Sequence, residues 1–190
     1  GRGQDARARV TIDIEDAYSG ASKPVTLRHT ELGADGRPAL RERTLKVKIP
    51  RGITAGQQIR LAGQGSPGPG GGPSGDLLLE VEFRPHSHYR VEGRDVFVDL
   101  PVSPWEAALG AKLAVPTPDG NVDLRIPAGS GAGRRLRLRG RGLPAKTPGD
   151  FYVVLKVMLP PSEAPDDREA WEAFREAFPD FDPRAGFRAP

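Results

Sequence analysis

The chain contains no cysteine, which excludes a disulfide scaffold, a thiolate zinc site and a cysteine nucleophile and makes a reducing compartment the default expectation. It has no apolar run of membrane-crossing length, and Gly1-Arg2-Gly3-Gln4-Asp5 offers no apolar signal core. The expected location is therefore cytoplasmic. A Gly where an initiator Met would stand points to a fragment or a processed chain with sequence upstream. Room for long helices is also scarce. With 24 Gly and 20 Pro in 190 residues, chain reversals are frequent and many short strands are expected. The formal net charge is only +3, although arginine lifts the pI to about 9.4. That balance permits nucleic-acid contact without requiring it.

What the sequence does have is a duplication, the signal that sets domain count before any strand is assigned. Ile49-Pro50-Arg51-Gly52 through Leu61-Ala62-Gly63-Gln64-Gly65 lies over Ile126-Pro127-Ala128-Gly129 through Leu138-Arg139-Gly140-Arg141-Gly142 at an offset of 77. After a loop of different length, Gly75-Asp76-Leu77-Leu78-Leu79 corresponds to Gly149-Asp150-Phe151-Tyr152-Val153. Upstream, Asp16-Ala17-Tyr18-Ser19-Gly20 mirrors Glu106-Ala107-Ala108-Leu109-Gly110.

Each half has the same local order. Val10, Ile12 and Ile14 alternate with polar residues, as do Val96, Val98 and Leu100, so each half opens with a half-buried strand. A helical turn follows: Ser103-Pro104-Trp105-Glu106 has capping-box spacing with Pro at the first helical position, and Gly110 stands at the C-cap. Asp13 to Asp16 with Gly20 is a weaker copy. Strand pairs are expected over 23–28 with 43–49, and over 112–116 with 122–126, turned by Asp35-Gly36 and Asp119-Gly120. Residues 65–75, rich in Gly and Pro, read as a flexible surface loop. Residues 166–178 read as a helix between Pro165 and Pro179, with Trp171, Phe174 and Phe178 on one stripe. Periodicity does not decide whether that stripe packs on its own second domain or on the same helix of another subunit.

The expected fold is mainly β: two tandem β-sandwich-like domains from an internal duplication, each with a short helix, followed by a C-terminal helix. The boundaries fall at 1–90, 91–162 and 163–190.

Catalytic and metal signals fail on chemistry. His86 and His88 lack a carboxylate or cysteine at ligand spacing, and His29 is alone in a polar loop, the stretch 29–40. Gly63-Gln64-Gly65-Ser66-Pro67-Gly68 satisfies a dinucleotide pattern literally but leads into more Gly and Pro instead of a helix, so no helix dipole is there to hold a pyrophosphate. No nucleophile elbow, phosphate loop or catalytic carboxylate pair can be placed. The expectation is a protein that is not an enzyme, with no cofactor and no metal.

The repeated order Ile-Pro-x-Gly, Leu-x-Gly-x-Gly and Gly-Asp, with His86-Ser87-His88-Tyr89-Arg90-Val91-Glu92-Gly93 joining the halves, resembles the C-terminal substrate-binding region of DnaJ-type (heat-shock protein 40) co-chaperones from about Ala8 to Pro160. Neither the His-Pro-Asp tripeptide of the J-domain nor the cysteine-rich zinc module occurs in it, so it is most similar to the zinc-finger-less, CbpA-like type. The resemblance implies a homodimer that binds unfolded polypeptide beside a strand of the first domain and delivers it to a DnaK-type ATPase chaperone in protein folding and the stress response. Carried over by position, the peptide groove is Ala8, Val10, Val25, Leu27 and Tyr89, Lys23 and Arg43 hold the partner's acidic tail, and Trp171, Phe174 and Phe178 serve dimerisation.

The residues alone leave plainer readings open: alternating Val and Leu are ordinarily core, and Lys23 and Arg43 ordinarily solvated charges. The physics of a groove is nevertheless sound. A strand edge offers N–H and C=O groups to any extended chain, and apolar burial adds about 25 cal/mol per Å² for clients whose hydrophobic residues are exposed. The rival class is DNA binding, since CbpA-like relatives are implicated in curved-DNA contact. Arg135, Arg137, Arg139 and Arg141 are expected on one face of a strand starting at Arg134, opposite Leu136 and Leu138. No aromatics interleave these arginines in sequence, and no recognition helix is evident.

Overall fold

The computed structural model describes residues 1–188, with the side chains of residues 29, 31 and 32 outside the description. The expectation on the His29 side chain therefore lies outside the described residues.

The duplication in sequence is a duplication in topology. In the first unit β1 (Ala6–Ile12) runs parallel to β5 (Leu77–Phe83), which pairs antiparallel with β4 (Gln58–Leu61). A separate hairpin joins β2 (Ala21–Leu32) to β3 (Pro38–Ile49). In the second unit β7 (Asp95–Val102) is parallel to β11 (Phe151–Val157), which pairs with β10 (Arg135–Leu138), and β8 (Ala111–Thr117) pairs with β9 (Gly120–Ile126). One strand has no counterpart. β6 (Tyr89–Glu92) adds to the outer side of β7, so the second sheet runs β10-β11-β7-β6 while the first runs only β1-β5-β4.

Alternation accounts for the layers. Val10, Ile12, Val47, Ile49, Leu79 and Val81 turn inward in the first unit; Val96, Val98, Val115, Leu124, Ile126, Phe151, Val153 and Leu155 do so in the second, and all are buried. The short helices follow the cap chemistry. In α2 (Pro104–Leu109) the Ser103 amide donates to Glu106 Oε1 at 2.9 Å and the Glu106 amide donates to Ser103 Oγ at 3.1 Å. In α1 (Ile14–Ser19) the Asp13 amide donates to Asp16 Oδ2 at 3.0 Å. Gly20 and Gly110 end the two helices at φ 73° and 85°, a region that disfavours any side chain.

Two expectations need correction. The polar stretch at 29–40 is not a loop; the β2–β3 ladder continues through Leu32 and Pro38, and only the tip around Asp35-Gly36 turns. The Gly/Pro stretch 65–75 is not slack either. Gly65 and Gly75 bond across its base, and the Ser66 amide donates to the Gln4 carbonyl at 2.9 Å. A Cβ on Gly75 would stand 2.2 Å from the Gln4 carbonyl, and one on Gly149 would stand 1.9 Å from the Arg94 carbonyl. These glycines are there because a neighbouring backbone crosses directly over them.

The units also touch. Tyr18, at the end of α1, donates its phenol to the carbonyl of Arg141 at 2.9 Å, and burial pushes that phenol's pKa up. α3 (Pro165–Ala177) buries none of its residues. Trp171 ties it to the end of the second unit, donating its indole N–H to the Pro161 carbonyl at 3.0 Å.

A candidate peptide groove and its filled counterpart

Each unit locks its sheet with the same polar knot. The Asp76 amide donates to Asp5 Oδ1, while the Asp76 carboxylate accepts from the Gly63 amide at 2.9 Å and from Arg60 at 2.6 Å. In the second unit the Asp150 amide donates to Asp95 Oδ1, and the Asp150 carboxylate accepts from the Gly140 amide at 2.8 Å and from Arg137 at 2.7 Å. The Gly63 and Gly140 amides, followed by the arginines, hold both carboxyls below the usual range. The recurrent Gly-Asp pair is thus structural. Arg137 is the second copy of Arg60.

This bears on the arginine ridge. The strand ends at Leu138, so Arg139 lies in the following turn and Arg141 is half-buried, with its Nε in contact with no acceptor among the described residues. Arg135 lies over a stacked aromatic pair that the sequence order concealed: Phe97 and Tyr152, on β7 and β11, are 4.9 Å apart at 16°, and the guanidinium stands 5.0 and 5.3 Å from their centroids. The four arginines do not form one continuous face. Charge is instead divided along the chain: residues 1–162 hold 24 Lys and Arg against 17 Asp and Glu, whereas residues 163–190 hold 4 against 8.

The groove residues are best read against the repeat. Ala8 on β1 and Val25 and Leu27 on β2 are half-buried against the core, while Val10 is enclosed. Ninety residues on, their counterparts Val98, Val115 and Thr117 are only 6%, 0% and 7% exposed. The difference is β6. Tyr89 sits opposite Val98, packs its ring 6.0 Å from Phe151, and donates its hydroxyl to the Pro116 carbonyl on β8 at 3.0 Å. Tyr89 therefore does not join the other four residues. It fills the second unit's version of the space that they border.

Lys23 is on the same face of β2 as Val25 and Leu27, where it bridges Asp13 at 3.0 Å and Asp16 at 2.6 Å. The hydrogen bonds to Asp16 and then Asp13 raise its pKa, and the same bond with Lys23 lowers that of Asp13. Arg43, half-buried on β3, donates to the carbonyl of Gln64 and turns its Nε to no acceptor among the described residues. Both cations thus have partners within the chain.

The aromatic stripe on α3 is a ladder, Trp171 to Phe174 at 6.0 Å and Phe174 to Phe178 at 5.3 Å. Trp171 and Phe174 face the second unit across a cleft of about 220 Å³ bordered by Trp105, Pro160, Pro161 and Ala170. Phe174 and Phe178 remain 55% and 58% exposed. Among the described residues no group of three or more His, Cys, Asp and Glu could hold a metal ion, and no helix is long and apolar enough to cross a membrane.

Comparison with known proteins agrees with this architecture. The chain is 50% identical over 184 residues to a curved DNA-binding protein of Coxiella burnetii, with 96% of this chain and 58% of the relative aligned. It is 44% identical to one of Pseudomonas putida, with 92% and 56% aligned, and 42% identical to one of Escherichia coli, with 96% and 60% aligned. The chain thus spans less than two thirds of the length of these relatives. Residues 6–160 match the family described as the DnaJ C terminal domain, and the chain belongs to that family.

Proposed function

We propose that the chain is the substrate-binding part of a DnaJ-type co-chaperone, holding extended, unfolded polypeptide in the first unit without covalent chemistry. The observation that carries this reading is the contrast in exposure between Ala8, Val25 and Leu27 and their covered counterparts in the second unit. A half-exposed apolar strip beside a sheet edge binds chains by generic amide pairing and gains from burying apolar side chains. Delivery to a DnaK-type ATPase belongs to the longer protein of which this chain would be part. Dimerisation through Trp171, Phe174 and Phe178 fits an apolar ladder left mostly open.

A fluorescent hydrophobic peptide titrated against the chain and against a Val25→Asp, Leu27→Asp double variant tests the groove. Loss of about tenfold or more in affinity is expected, whereas equal affinity in a folded variant contradicts it. A second reading, DNA binding, is supported by the names of the relatives and by the excess of cations before residue 163. It predicts a steep salt dependence and loss of binding in Arg135→Glu, Arg139→Glu, a pair that leaves the Arg137–Asp150 knot intact.

A further inference from the structure

One imidazole holds the link between the two units. His86 lies in the stretch 84–88 that leads from β5 of the first sheet to β6 of the second. Its Nδ1 accepts the His88 amide at 3.0 Å and the Tyr89 amide at 3.4 Å, the amides on which β6 begins. A ring nitrogen that accepts N–H groups carries no proton, so the proton of the neutral ring is on Nε2 and is donated to Glu15 Oε1 of α1 at 3.1 Å. The two nitrogens therefore hold different units.

The surroundings leave the ring open to a second proton. His86 lines a cavity of about 550 Å³ at the junction, so water reaches it. The other charges there are already matched. Arg84 is taken by Asp13 at 2.8 Å, Arg90 by Asp99 at 3.1 Å, and Glu80 and Glu82 share Arg9 at 4.0 and 3.4 Å. The His88 and Tyr89 rings stand 5.9 and 4.7 Å away. Among the described residues, Glu15 is the carboxylate left to answer a charge on His86. The repeat isolates the feature. Shifted by 90 and 74 residues, Glu15 and His86 become Trp105 and Pro160, which border the apolar cleft beside α3. At these two positions the second unit has nothing that titrates.

We infer that His86 is a proton-operated latch on β6. Neutral, it accepts the amides of His88 and Tyr89 and fixes where the strand starts. A second proton, taken in the range where histidine changes charge, about pH 5–8, sits on Nδ1 and faces those two N–H groups. Both bonds are then lost, and the cation keeps Glu15. Protonation thus moves the ring's allegiance from the second sheet to α1. β6 has four residues and a single strand partner, β7, so losing the bonds at its start loosens Tyr89 from its place over the second unit's core. The latch requires neither peptide nor DNA to bind.

Amide hydrogen exchange by NMR on the intact chain tests this, with rates expressed as protection factors to remove the intrinsic pH dependence of exchange. The Val96 amide is committed to the Asp150 carbonyl at 2.9 Å, so alternation turns the Phe97 N–H towards β6 and the Val98 N–H back towards β11. Between about pH 7.5 and about pH 5.5, protection at Phe97 should fall about threefold to tenfold while that at Val98 holds. In His86→Asn the side-chain carbonyl accepts an amide at either pH, so Phe97 should stay protected at both. In His86→Leu, which accepts nothing, Phe97 should be weakly protected at both. Glu15→Gln removes the carboxylate that holds the imidazolium and should move the fall to lower pH. Protection at Phe97 that is indifferent to pH in the unsubstituted chain, or that falls equally in His86→Asn, overturns the latch. So does a neutral ring found by nitrogen NMR to carry its proton on Nδ1.

Discussion

The two units are one scaffold in two states. Both carry the parallel pair β1–β5 or β7–β11, the Gly-Asp knot, a capped helical turn and a hairpin laid over the core. They differ in hairpin length, 12-residue strands in the first unit against 7-residue strands in the second, and in one four-residue strand at the sheet edge. β6 closes the edge of β7, where Tyr89 reaches the Pro116 carbonyl between buried Val115 and Thr117, while the matching edge of β1 stays open beside half-buried Val25 and Leu27. The comparison separates what holds the fold, which recurs, from what is available for binding, which does not. A strand edge without a partner is ordinarily a liability, and here it survives beside cationic Arg7 and Arg9.

The largest expected effect checks that the scaffolds are equivalent. Gly75→Val and Gly149→Val each force a side chain into the backbone that crosses above, and each should cost about 3 kcal/mol or more in denaturant unfolding. A tolerant Gly75 beside an intolerant Gly149 would break the equivalence. Next in size is Tyr89→Ala. It removes a half-buried ring and its bond to Pro116, for about 2–3 kcal/mol. It should also uncover the second groove, raising the calorimetric stoichiometry for a hydrophobic peptide from one to two per chain. Tyr89→Phe, which loses only the hydroxyl, should cost about 1 kcal/mol and leave the stoichiometry at one.

Acid should weaken both units through the same carboxyls. Asp76 and Asp150 have lowered pKa values, so their contribution is complete above the unfolded value of about 3.9 and is lost as pH falls through the folded values. Asp76→Asn and Asp150→Asn should each flatten the fall in stability below pH 4. Equal flattening supports the shared knot, and a one-sided response breaks it. The smallest effect belongs to a feature that the first unit has alone. Lys23 stands where the second unit has Leu113, and its partly exposed pairing with Asp13 and Asp16 is still reached and screened by solvent, so Lys23→Ala should cost about 1 kcal/mol or less. The raised pKa of Lys23 places the loss of that contribution at high pH, as pH rises above about 10.4 through the folded value, while the lowered pKa of Asp13 places its own loss in acid.

Much of this was legible in the residues. The offsets of 77 and 90 gave the units, Ser103-Pro104-Trp105-Glu106 gave the capped turn, and alternation gave the inward residues Val47, Ile49, Val96 and Val98. Long-range pairing was not legible. Tyr89-Arg90-Val91-Glu92 is too short to declare which edge it joins, and nothing local to Tyr89 says that its hydroxyl will find Pro116 across the unit. The aromatic pair under Arg135 was hidden for the same reason, because Phe97 and Tyr152 meet only when β7 and β11 are side by side. Arg137 could have been recognised as structural, since Arg60 with Asp76 and Arg137 with Asp150 occupy matched positions in both halves. A charge pair that recurs through a duplication is a sign of mutual engagement.

Amide hydrogen exchange at Arg7 and Phe97 tests the central claim most directly. In the free chain Phe97 should be protected by β6 and Arg7 should exchange freely, and saturating hydrophobic peptide should slow exchange at Arg7 while leaving Phe97 unchanged. An Arg7 amide already protected in the free chain, or one indifferent to bound peptide, would contradict the account.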